Sequence, residues 1–208
     1  MPFYLLISLL TLYAVQGFQV DVDTSQAPDL HDFGVKTKEI LESWYPTIKR
    51  LLHSPEFKEV DRLQIHFDPS DTGVAGTDAF SNYIVGHAPY FRKHQDDFGA
   101  MIHEMTHVLQ KYKDCDGWVT EGIADWVRYY QYEPHRQVVK KPSSEDSYTS
   151  GNPYFLEWIN KNRYEHMIYF LNQDCRAGTY NINIFEKLTG KTVDELWQEM
   201  MADGRKNC

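Results

Sequence analysis

The sequence predicts a single α+β domain that is mostly helical after residue 95. Its 208 residues suit one domain of ordinary size, and 42% apolar with 25% charged residues is a globular balance. The stretch Leu63-Gln64-Ile65-His66-Phe67 alternates apolar and polar side chains as a half-buried strand does. Downstream, apolar positions recur at helical spacing in one segment after another, with no internal repeat, low-complexity tract or domain break between them.

The elements follow in order. Residues 3–15 are almost entirely apolar, and no charged side chain precedes Asp21. A run this short fits a secretory signal better than a bilayer span, and small Gly17 offers a cleavage position. Residues 1–17 read as a signal peptide and 18–208 as the folded domain, so a secreted, extracellular protein is expected; a buried N-terminal helix is the alternative. No later apolar stretch approaches membrane length, and no membrane association is expected after signal removal. Residues 18–30 look like an unstructured lead-in. Val35, Ile40, Leu41, Trp44, Ile48, Leu51 and Leu52 mark a helix over about 35–52, which Pro46 should bend or interrupt. Asp68-Pro69 ends the first strand, Gly73 and Gly76 mark a loop, and a short strand is expected around 83–85. Helices are expected over about 96–113 and 120–132, with Gly117 helping the turn between them. Residues 134–151 read as a long surface loop. Helical stretches near 154–160, 165–172 and 181–188 come next, and Thr192-Val193-Asp194-Glu195 opens the last helix in the form of a capping box.

Charge and cysteine content narrow the function. Lys and Arg number 21 against 30 Asp and Glu, a net −9 that argues against nucleic acid as a partner, since phosphate binding needs cationic contacts. Secretion would place Cys115, Cys175 and Cys208 in an oxidising compartment, where one disulfide leaves one thiol over. Cys115 with Cys175 is the preferred pair, because Cys208 is the last residue and terminal residues fray. No Asn-x-Ser/Thr acceptor occurs.

The segment that carries chemistry is His103-Glu104-Met105-Thr106-His107. On a helix, residues four apart share a face, so both imidazoles can reach one metal ion, and Glu104 lies where a carboxylate can take a proton from water. Chance alone places this pattern in roughly 2% of chains of this composition. Catalytic zinc takes three protein ligands and keeps one position open. A third His six residues after His107 is excluded, because that position is Lys113. Glu121 and Asp125 stand four apart in the next helix, so Glu121 can be the third ligand while Asp125 accepts the other ring N–H of a ligand His. The bland readings are core or surface histidines and a solvated acidic helix face. A closed structural zinc site would need a fourth ligand, for which His87 and His94 are available, though both read better as a strand end and a surface residue. Trp118 and Trp126 read as core aromatics, with Trp118 alternatively lining a cleft.

These residues resemble the basic secretory protein family of plants and bacteria, zincin-type peptidases. The resemblance rests on His103-Glu104-Met105-Thr106-His107 with Glu121-Gly122-Ile123-Ala124-Asp125, and continues through Ser147-Tyr148-Thr149-Ser150-Gly151, Phe155-Leu156-Glu157-Trp158 and the segment Leu188 to Trp197, covering roughly residues 35–200. The Glu-Gly-Ile-x-x-Asp portion is also similar to thermolysin-like gluzincins. The resemblance implies a zincin-like domain in which a small sheet precedes the active-site helix, with an edge strand near 83–85 lining the cleft and pairing with an extended peptide substrate. It implies one Zn²⁺ on His103, His107 and Glu121, Asp125 supporting His103, Glu104 as general base, and a Tyr as oxyanion donor, for which Tyr148 and Tyr154 are candidates. Two features depart from the family: the acidic charge, and a segment between Gly151 and Phe155 about three residues shorter than usual. The expected function is a secreted zinc peptidase acting on peptide or protein substrates. The alternative is a secreted zinc-site protein without catalysis, acting as a defence or binding factor.

Overall fold

The computed structural model describes residues 17–204 apart from Asp71 and Gln137, so the apolar run read as a signal and Cys208 lie outside the described residues. Four strands, β1 (Gln19–Asp23), β2 (Arg62–Asp68), β3 (Ala75–Asp78) and β4 (Tyr83–His87), form one mixed sheet in the order β1-β2-β4-β3. β1 and β4 both run parallel to β2, and β3 is antiparallel to β4. Parallel neighbours need a crossover, which helix α1 (His31–Leu51) supplies between β1 and β2.

β1 corrects the expectation of an unstructured lead-in over 18–30. Its sequence alternates strictly, with Val20 fully buried and Val22 on the same face, and helix α1 protects its outer edge: Glu42 accepts from the Val20 N–H at 3.0 Å, and Lys38 donates to the Val20 carbonyl at 2.7 Å. Helix α1 also runs through Pro46 rather than breaking there. Pro46 lies on the exposed face, where water can satisfy the carbonyl left over by its missing N–H, while buried Leu41, Tyr45 and Ile48 anchor both sides. Two further corrections concern the sheet. The loop expected around Gly73 and Gly76 contains β3, and the edge strand is β3 rather than the stretch 83–85, which pairs on both sides as β4.

A short helix α2 (Ala88–Lys93), opened by Pro89, leads to α3 (Phe98–Gln110) and α4 (Gly117–Trp126), which continues into a π-helical turn, Val127–Tyr132. The loop over 134–151 holds two single 3₁₀ turns, Pro134–Arg136 and Tyr148–Ser150. Helices α5 (Pro153–Asn162), α6 (Met167–Ala177), α7 (Ile184–Thr189) and α8 (Val193–Ala202) complete the domain, the last with its Thr192–Glu195 capping box formed. Phe67, Ile84 and Phe91 on the sheet side join Met101, Ile102 and Met105 of α3, and beyond them Trp118, Phe155 and Trp158, in one continuous core. Cys115 and Cys175 form a disulfide with Cα atoms 4.9 Å apart, tying the α3–α4 connection to α6.

Candidate metal centre

Helix α3 carries the motif, and both its ends are held by buried charge. At the start, Asp97 accepts from the Ala100 N–H, the Tyr90 hydroxyl and the Arg128 guanidinium, and Arg128 also donates to Glu133. Burial raises the Asp97 carboxyl, but these donors outweigh it and keep the group below its ordinary range. The helix approaches Glu133 so closely that a Cβ at Gly99 would meet its carboxylate oxygen at 2.5 Å. At the other end, buried Arg176 donates to the Leu109 and Gln110 carbonyls and also to Leu52, satisfying acceptors the helix leaves over. Lys111 then turns left-handed at φ 42° and ends the helix. Gly117 plays no such part: its φ is not positive, and it simply opens α4.

Three pairings fix how α4 lies on α3. His103 bonds Asp125, His107 faces Glu121, and the Gln110 amide donates to the Thr120 carbonyl, so the two helices run antiparallel. This gathers His103, His107 and Glu121 into one group. Their facing atoms form a triangle: His103 Nε2 to His107 Nε2 is 2.9 Å, and Glu121 Oε2 is 3.3 and 3.5 Å from the two nitrogens. Ligand atoms bonded tetrahedrally to zinc at its usual bond lengths stand about 3.4 Å apart, so the group fits such an ion.

The hydrogen bonds around the triangle also call for a cation. The Nδ1–H of His103 donates to Asp125 Oδ1 at 2.7 Å, and that of His107 donates to Gln110 Oε1 at 2.7 Å. Gln110 is oriented for this by its own amide bond to Thr120. With both Nδ1 positions protonated, the neutral imidazoles point two Nε2 lone pairs at each other and at a carboxylate. Three acceptors facing inward need a cation among them. Without a metal a proton takes that place: burial pulls the His103 imidazole down, but hydrogen bonds to Asp125 and Glu121 and nearby carboxylates outweigh it and raise it to about 9. Hydrogen bonds from His103 and His107 likewise hold the Glu121 carboxylate well below the usual range, against its partial burial.

The group opens on a cleft of about 610 Å³, lined by β3, exposed Phe80, His103, Glu104, His107 and Glu121. Among the described residues, no fourth His, Cys, Asp or Glu joins the triangle. His87 closes the sheet end against Asp68, Ser70 and Thr72, and His94 stacks on Tyr90. Glu104 is nearly buried beside the triangle and accepts from the Thr77 hydroxyl of β3. The two candidate tyrosines stand elsewhere. Tyr154 is 1% exposed, because Pro153 starts α5 there and turns the ring into the core. Tyr148 packs against Trp118 and Trp197 and lines a different cavity. Tyr112 does line the cleft, but its hydroxyl donates to Asn172. Trp118 and Trp126 are core aromatics, each 8% exposed.

Sequence reasoning missed Gln110 and Thr77. Gln110 was findable, since it follows His107 by three residues on the same helix face. Thr77 carries no local signal, as it meets Glu104 only through the packing of β3 on α3. In comparisons with known proteins, a family model described as a peptidase of plants and bacteria matches residues 22–200. No curated protein and no solved structure matches the chain significantly.

Proposed function

The chain belongs to the basic secretory protein family, peptidases of plants and bacteria, and from that premise we propose that it is a secreted zinc-dependent peptidase. The observation that carries the reading is the inward-facing triangle of His103, His107 and Glu121, three acceptors that need a cation, opening on a cleft beside a buried carboxylate. Two imidazoles and one carboxylate are the donor set of a catalytic zinc site that keeps a position free. Zinc held there would supply Lewis acidity to a water and to the scissile carbonyl. The residues do the rest. Asp125 and Gln110 fix the tautomer and aim of the two imidazoles. Glu104 accepts the proton of the attacking water and returns it to the departing amine, so the proton balance closes within one residue. Among the described residues β3 is an edge strand along the cleft, where an extended peptide can add as a further strand. Residues 1–17 would direct the chain to secretion, and the Cys115–Cys175 disulfide suits an oxidising compartment.

The intact Glu104 favours this reading over a non-catalytic zinc protein, since metal binding alone has no use for that carboxylate. Metal analysis of the purified protein, with cleavage of a mixed peptide library before and after chelation, tests it. One zinc per chain and chelator-sensitive cleavage are expected. Zinc without cleavage would favour the binding-factor alternative.

A further inference from the structure

Glu104 is 9% exposed, and among the described residues its carboxylate has one hydrogen-bond partner, the Thr77 hydroxyl, 2.5 Å from Oε2. The same hydroxyl stands 3.2 Å from the Glu104 backbone carbonyl, so Thr77 meets both ends of the residue. It does so from the edge strand. Strand alternation leaves Ala75 and Thr77 half-buried and Gly76 and Asp78 exposed. The cross-strand partner of Thr77 is fully buried Ile84, so the β3–β4 register sets where Thr77 sits over the helix. The strand that holds Thr77 also lines the cleft, and among the described residues its outer edge pairs with no further strand.

We propose that Thr77 is a positioning residue for Glu104: its hydroxyl holds Oε2 and leaves Oε1 free to face the attacking water. The inference rests on the peptidase reading and deepens it, tying the general base to the strand along which a substrate would lie. A Glu side chain has three rotatable bonds, and a base is effective only when its oxygen stays within hydrogen-bond reach of the proton it takes. Thr77 is suited to restrict it, being β-branched, stiff about its first side-chain bond and fixed in a paired strand. A peptide adding to β3 would steady the same strand and, through it, the carboxylate.

The test compares native protein with Thr77→Val, which exchanges the hydroxyl for a methyl at nearly equal volume, and with Thr77→Ser, which restores the hydroxyl. In the zinc-loaded proteins, Thr77→Val is expected to lower kcat about tenfold or more with KM changed by less than about twofold, and Thr77→Ser to recover most of the loss. A readout apart from turnover is the affinity for a peptide hydroxamate, whose O–H occupies the place of the attacking water. It should fall about tenfold in Thr77→Val and little in Thr77→Ser, while zinc affinity stays native in both. Should valine prevent folding, Thr77→Ala serves the same comparison. Native kcat and native hydroxamate affinity in the valine or alanine variant would overturn the role of Thr77. Failure of the native protein to cleave would overturn the peptidase reading instead, and the hydroxamate comparison would still decide Thr77.

Discussion

At the residue scale, the site is a set of donors and acceptors whose balance requires a cation. Asp125 matters here as an acceptor: it holds the Nδ1–H of His103 and so keeps Nε2 as a lone pair in the triangle. Asp125→Asn keeps the volume but weakens that bond and can present an N–H to the ring. Zinc affinity measured by competition with a chromophoric chelator should fall about 10- to 100-fold, the usual size of such an effect. Unchanged affinity would show that the imidazole is oriented by other means. His103, Glu104, His107, Glu121 and Asp125 were legible because helical spacing alone places them. The structure places Tyr148 against Trp118 and Trp197 and Tyr154 in the core, placements that a local segment does not reveal. Tyr154 enters the core one residue after Pro153 opens α5.

At the scale of elements, α3 is precise because neither end is left to solvent. Arg176 is buried, and among the described residues its guanidinium donates to carbonyl and hydroxyl oxygens of Leu52, Ser54, Leu109 and Gln110. Arg176→Met fills the space but takes the donor from the Leu109 and Gln110 carbonyls and the Ser54 hydroxyl, at about 1–3 kcal/mol each where they stay buried, while Leu52 keeps its bond from the Asn172 amide. Chemical denaturation should show a loss of about 3 kcal/mol or more, and a loss below about 1 kcal/mol would mean that water takes over the bonds. The helices α3 and α4 and the strands β2 and β4 were readable from apolar periodicity. β3 was not, since Ala-Gly-Thr-Asp has little strand preference, whereas β1 went unread although Gln-Val-Asp-Val-Asp puts Val20 and Val22 on one apolar face. Both exist through their partners: β1 through β2 and the side chains of α1, β3 through β4 and α3. The π-helical turn after α4 has no sequence signal either. It ends at Glu133, which joins the Arg128–Asp97 cluster at the start of α3.

At the scale of the whole molecule, folding, protonation and metal binding are linked through the same atoms. His103 sits at about 9 in the metal-free fold, above the ordinary imidazole value, so the folded state binds its proton more tightly than the unfolded chain does. That stabilisation is fully present below about pH 6.5 and is lost as pH rises through about 9. Glu121 is depressed by the same contacts, so its share is present above the ordinary Glu range and is lost as pH falls well below it. Zinc must displace the His103 proton, so its affinity should climb by about tenfold per pH unit up to about pH 9. Thermal denaturation with and without zinc should therefore show a larger zinc-induced rise in Tm at about pH 8 than at about pH 6. Equal rises would contradict the proton–metal exchange.

Membership of a peptidase family, together with a cleft beside β3, points the molecule toward peptides. The most direct measurement is a side-by-side assay of native protein and Glu104→Gln, each loaded with zinc, for metal stoichiometry and for cleavage of the same peptides. One zinc per chain in both is predicted, with cleavage by the native protein and a loss of at least about a hundredfold in the variant. A Glu104→Gln protein that cleaves at the native rate would show that Glu104 is not the base and that the triangle serves some other chemistry.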